Sequence, residues 1–109
     1  HNEDGARVLN EYLKSLNCKK HVIISMMANK EHEKYISYFK NISSITTIDL
    51  KTQPNSISGK DLKEKFKSMP NVHYQPDIKQ AIKSIDCKEG DLLLITGSLY
   101  GAAEVLSLN

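Results

Sequence analysis

The chain has 109 residues, 39% of them hydrophobic and 26% charged, an ordinary globular composition, long enough for one domain to bury a core without disulfides or metal. A formal charge of +2, with the basic stretch from Lys60 to Lys67 broken by Asp61 and Glu64, gives no footprint for nucleic acid. No run reaches the roughly 18 apolar residues of a membrane-crossing helix, and the charged start at His1 is no signal peptide. Cys18 and Cys87 match no metal or disulfide spacing, so both read as thiols in a cytoplasmic protein.

Ala6, Leu9, Leu13 and Leu16 recur at three- and four-residue steps, which predicts a first helix, with Glu3 and Asp4 suited to its positive end. The run Val22-Ile23-Ile24-Ser25-Met26-Met27 has no helical period. It reads as a central strand buried on both faces, with both methionines in the core. From about Lys30 to Lys40, Tyr35, Ile36 and Phe39 share one face of a second helix. Ser44 to Leu50, rich in Ile and Thr, predicts a second strand that the turn residues at 52–55 terminate.

Ser58 is placed to cap a third helix that buries Leu62, Phe66 and Met69 and stops before Pro70, and Lys60, Lys63 and Lys67 form its wet face. Val72-His73-Tyr74 is a brief third strand. Asp77 caps a fourth helix through Ala81, Ile82 and Ile85, the Glu89-Gly90-Asp91 turn is structural, and Leu92 to Thr96 is the clearest strand. Beyond Gly97-Ser98, residues Leu99 to Leu106 carry a helical composition. Strict alternation of helix and strand predicts an α/β fold, a three-layer Rossmann-like, mostly parallel sheet with helices on both faces. Such units begin on a strand, so one is expected before His1.

Ligands of parallel sheets bind beyond the carboxyl ends of the strands, where helices present free N–H groups. This directs attention to His1-Asn2, to Met27-Ala28-Asn29-Lys30, and to Thr96-Gly97-Ser98-Leu99-Tyr100-Gly101. Taken alone each is ordinary: Gly97-Ser98 as a turn and cap, Lys30 as a solvated lysine in the first turn of a helix. His32 between two glutamates reads as solvated, since no second ligand stands at helical spacing, and His21 and His73 read as strand-edge residues without a function. There is no GxSxG elbow, so no hydrolase serine is expected, and there is no GxxxxGK[ST] and no GxGxxG. Without a phosphate-cradling loop the chain cannot be a complete ATP-driven enzyme by itself.

Together and in this order, the three junctions resemble the carboxy-terminal domain of folylpolyglutamate synthase and dihydrofolate synthase, members of the Mur ligase superfamily. His1-Asn2 before Glu3-Asp4-Gly5-Ala6 is similar to the second half of the family's Asp-Gly-Ala-His-Asn-Pro motif, with Glu3 in place of the proline. Ala28-Asn29-Lys30-Glu31 is similar to its acidic-Lys/Arg-Asp turn, with the acids altered. Thr96 to Tyr100 matches its Thr-Gly-Ser-Leu-Tyr in full.

The resemblance covers the whole chain and implies one glutamate-binding domain over residues 1–109, with an amino-terminal ATPase domain absent. The activity implied is ATP-dependent addition of L-glutamate to a folate through an acyl phosphate. ATP and magnesium would be held mainly by the absent domain. Carried over by motif, His1 is catalytic and, with Asn2, meets the nucleotide, while Lys30 and Ser98 hold the glutamate carboxylates; no metal ligand is assigned within the chain. The expected form is a monomer that is inactive alone. The competing expectations are a free-standing α/β ligand-binding module and a protein-interaction domain that uses an exposed strand edge.

Overall fold

The computed structural model describes residues 17–37, 42–97 and 104–107. The elements run β1 (Lys20–Ser25), α1 (His32–Ser37), β2 (Ser44–Ile48), α2 (Gly59–Lys65), β3 (Val72–Gln75), α3 (Ile78–Ser84), β4 (Leu92–Gly97) and β5 (Glu104–Ser107). They build one five-stranded sheet in the order β3-β2-β1-β4-β5. The first four strands are mutually parallel, as the alternation predicts. The first predicted helix, at residues 6–16, lies outside the described residues.

Side chains of a strand alternate between faces, and the core divides accordingly. On one face Val22, Ile24, Ile45, Leu92 and Leu94 pack with Tyr35 and Ile36 of α1 and with Leu62 of α2 and Phe66 at its end. On the other, Ile23, Ile48, Leu93 and Ile95 pack with Ala81, Ile78 and Ile85 of α3 and its end. β1 is buried along its whole length, because it is central in the sheet and has helices over both faces.

Local chemistry sets the helix starts as the sequence predicts. Ser58 Oγ accepts from the Asp61 N–H at 3.1 Å and Asp77 Oδ1 from the Gln80 N–H at 2.8 Å, each satisfying a donor that the first turn leaves open. Asn71 takes a positive φ of 58°, which its short polar side chain tolerates. From there its Nδ2 donates to the Ser43 carbonyl at 3.1 Å.

Several expectations are corrected. Residues 104–107 form a strand antiparallel to β4 rather than part of a helix over 99–106; the outer edge of β4 would otherwise leave backbone groups unpaired, and that demand overrides weak helical composition. α2 ends at Lys65, with Phe66 at its C-cap, four residues earlier than the proline alone suggests. Met69 is therefore only half-buried at the margin of the core. Ile82 is 40% exposed, since the short α3 turns only one narrow stripe to the sheet. Met26 is buried as expected, but Met27 is half-exposed beyond the end of β1.

Candidate functional site

The connection leaving β1 goes to β2 on one side of it, whereas β4 lies on its other side. Strand order therefore reverses between β1 and β4, and the crevice beyond their carboxyl ends is where such a sheet receives a ligand. Of the three junctions picked out by the sequence, the one after β1 starts here, beside the end of β4, where Ile24 and Ser25 pair with Thr96 and Gly97.

The turn after β1 is held from several directions. The Ile57 N–H donates to the Met26 carbonyl at 3.0 Å and the Ala28 N–H to the Asn55 carbonyl at 2.8 Å, so the loop that follows β2 lies against the turn. Within it, the Lys30 N–H reaches the Met27 carbonyl at 3.4 Å. His32 is buried, not solvated as its sequence neighbours suggest. Its Nε2–H donates to the same Met27 carbonyl at 2.9 Å, fastening the start of α1 to the end of β1.

Lys30 stays exposed on this fixed backbone. It opens on a shallow cavity of about 350 Å³ lined also by Glu31, His32, Glu33, Lys34 and Lys65. The lining is mixed in charge, and Lys34 lies 3.8 Å from Glu31 across an exposed pair of the kind that contributes little to stability.

Near the end of β4, Thr96 is buried and shares a 2.9 Å hydrogen bond between its Oγ1 and the Tyr35 hydroxyl. That bond runs from α1, just past Lys30, to the strand end that leads into Gly97-Ser98. Burial pushes the Tyr35 phenol above its ordinary pKa, against a smaller opposing effect of the Thr96 bond. Ser25, the last residue of β1, pairs with Gly97 in the ladder. Among the described residues its Oγ is the buried side-chain polar atom without a hydrogen-bond partner.

The junction after β2 is built differently. Asp49 Oδ1 accepts from the Gly59 N–H at 2.7 Å, Oδ2 accepts from the Tyr74 hydroxyl, and Thr47 Oγ1 donates to the Gly59 carbonyl at 2.6 Å. A Cβ at Gly59 would lie 2.5 Å from Tyr74 Cε1 and 2.9 Å from the Ile48 carbonyl carbon. Only glycine fits there. Lys60 covers the Tyr74 ring at 5.7 Å.

Of the residues predicted to form the site, Lys30 is placed at the switch point; His1, Asn2 and Ser98 lie outside the described residues. Tyr35 and Ser25 also lie beside the candidate site: Tyr35 reads in the sequence simply as part of an apolar face, although the serine interrupting an otherwise apolar strand is a visible signal. Among the described residues no group of three or more His, Cys, Asp or Glu is placed to hold a metal ion. No described helix is long and apolar enough to cross a membrane.

The family described as Mur ligase, glutamate ligase domain, matches residues 1–99. The chain belongs to the Mur ligase family. Solved structures share its fold: a bifunctional folylpolyglutamate synthase/dihydrofolate synthase with Mn, AMPPNP and L-glutamate bound is 19% identical with a TM-score of 0.74, over 89% of this chain and 24% of that one. FolC of E. coli in complex with ADP is 22% identical with a TM-score of 0.75, over 87% and 23% of the two chains. Folylpolyglutamate synthase of Mycobacterium tuberculosis complexed with ADP gives 16% and 0.68, over 76% and 20%. No curated protein sequence matches the chain. This Mur ligase domain thus spans about a quarter or less of the length of the structures it resembles.

Proposed function

We propose that this domain is the glutamate-holding part of an ATP-dependent folate–glutamate ligase. On this reading a region outside the chain supplies the phosphate loop and binds most of the nucleotide and its divalent ion. A folate carboxylate takes the terminal phosphoryl group of ATP, and the glutamate amine attacks the acyl phosphate. An amide forms, and inorganic phosphate leaves.

The observation that carries the reading is that the Lys30 turn follows β1 and that β1 ends beside the end of β4 at the switch point, in a chain of this family. Glutamate brings two carboxylates. A lysine ammonium on a fixed turn is a suitable partner for one, and the Ser98 hydroxyl with nearby backbone N–H groups for the other. His1 and Asn2 take the nucleotide side, with His1 at the reacting centre. The glutamate-bound structural relative supports the substrate class, and its companions with ADP support the nucleotide. We further propose a cytoplasmic monomer with no membrane or nucleic-acid partner.

The test is incorporation of labelled L-glutamate into dihydropteroate or a reduced folate with ATP. It compares the protein made from the complete reading frame around these residues with the 109-residue chain. Incorporation by the former and none by the latter is expected. Turnover by the short chain, or none by the long protein with either acceptor, would reject the proposal.

A further inference from the structure

At the opposite, amino end of the sheet, three side chains form a row across neighbouring strands. The turn before β4 fixes Asp91: its N–H donates to the Lys88 carbonyl at 3.0 Å, and its Oδ2 accepts the Lys88 N–H at 3.0 Å. Gly90 makes the turn possible with a φ of 89°. The same Oδ2 meets His21 Nε2 at 3.2 Å, and His21 Nδ1 meets Ser44 Oγ at 2.7 Å. His21 and Ser44 are directly paired in the parallel ladder of β1 and β2, so the backbone itself holds the alignment.

The geometry assigns the protons. The Lys88 N–H first, and the His21 contact second, hold the Asp91 carboxyl below the ordinary aspartate pKa. An ionised carboxylate can only accept, so in the neutral imidazole the proton sits on Nε2, and Nδ1 is left as a base facing the serine hydroxyl. The roles are those of an acid–base–hydroxyl relay, with the two ring nitrogens exchanged relative to the serine protease arrangement. Its members are 23 and 70 residues apart and no short motif joins them, so only the fold brings them together.

Ser44 is half-buried and opens, with His21, on a cavity of about 570 Å³ that also includes Thr46, Lys63, His73, Gln75 and Asp86 in its lining. That volume lies in the usual range for a small-molecule pocket. His73 and Gln75, exposed and half-buried, are hydrogen-bonding side chains available to an oxygen that gains charge. Lys63 and Asp86 offset one another, so the cavity suits a neutral polar electrophile better than a dianion.

We propose that the amino end of the sheet carries a second reactive site, separate from the ligase site, in which Ser44 is a nucleophile toward neutral activated esters and phosphonates. Its Oγ forms the bond to the acyl carbon or phosphorus as the leaving group departs. The hydroxyl proton passes to His21 Nδ1 and from there to the leaving group or solvent. Asp91 is a positioning residue that keeps the imidazole oriented.

The probe is a fluorophosphonate, which forms a P–O bond to an activated serine and releases fluoride. Incubation with the 109-residue chain followed by peptide mapping is expected to give an adduct on Ser44, absent in Ser44→Ala. His21→Gln should slow labelling by about 100-fold, the usual scale of general-base assistance, and Asp91→Asn by a smaller factor. Circular dichroism of each variant separates lost reactivity from lost fold; if His21→Gln does not fold, the labelling rates of folded Asp91→Asn and Ser44→Ala decide. No adduct on the wild-type chain, an adduct elsewhere, or a rate that folded His21→Gln or Asp91→Asn leaves unchanged would overturn the proposal.

Discussion

The junctions after β1 and after β2 occupy equivalent places in a parallel sheet, yet one is open and the other closed. After β2, Asp49, Thr47, Tyr74 and Gly59 bond to one another, and the Asp49 carboxylate is committed to the Gly59 N–H and the Tyr74 hydroxyl. After β1, His32 and the neighbouring backbone fix the turn, while the Lys30 side chain remains exposed on it. Every strand end in such a sheet points at the start of a helix. Position alone therefore does not make a site; a ligand needs polar groups that the fold has not already satisfied.

The largest stability effect is expected from breaking the closed junction. Gly59→Ala places a methyl against the Tyr74 ring and the Ile48 backbone carbon, and overpacking of this kind costs about 1–3 kcal/mol. Alanine regains at most about 1 kcal/mol over glycine in a helix. The ring can turn aside but the backbone cannot, so the clash wins, and a net loss of about 2 kcal/mol is expected in denaturant unfolding. A variant as stable as wild type would mean that this junction is looser than its hydrogen bonds imply.

Next comes the bond that ties the open junction to the end of β4. Tyr35→Phe leaves the buried Thr96 Oγ1 without its Tyr35 partner, at a cost of about 1–2 kcal/mol. Adding Thr96→Val removes the stranded hydroxyl, so the double variant should recover part of that loss rather than sum two losses. Simple additivity in the thermal midpoints would show that the two side chains do not act as a pair.

These pairs also show what sequence can and cannot reveal. Apolar periodicity and β-branched runs located the four parallel strands and three described helices, because each signal is local and repeats within a few residues. Ser58 and Asp77 were found as caps for the same reason. The Tyr35–Thr96 bond joins residues 61 positions apart and the Asp49–Tyr74 bond residues 25 apart, distances at which no periodicity operates. β5 was missed because its order comes from the partner strand and not from its own composition. At the candidate site, the place of Lys30 in the turn after β1 was legible from the sequence, whereas the burial of His32 was not, since its partner is a backbone carbonyl.

A smaller effect, present at neutral pH and vanishing in acid, tests the amino end of the sheet against both junctions. The Asp91 carboxyl titrates below its ordinary value in the fold, so its contribution is present above the unfolded aspartate pKa of about 3.9 and is lost as pH falls through the lower folded value. Asp91→Asn should therefore flatten the acid limb of stability against pH while leaving the Gly59 and Tyr35 effects in place at neutral pH. An unchanged acid limb would place the acid sensitivity in other carboxylates.

The smallest stability effect is expected at Lys30, and there the two junctions separate most clearly. Its side chain is exposed, so Lys30→Ala should change unfolding free energy by no more than about 0.5 kcal/mol. If the ammonium holds a glutamate carboxylate as proposed, the same variant of the full-length protein loses a charge-assisted bond of about 1.5–3 kcal/mol. That corresponds to a rise of roughly tenfold or more in the KM for glutamate at unchanged KM for ATP. An equivalent change at the closed junction should do the reverse, lowering stability with little specific effect on glutamate. Should Lys30→Ala leave the glutamate KM where it was, an exposed cation at the switch point would be mere surface, and the glutamate site would rest on the end of β4 alone.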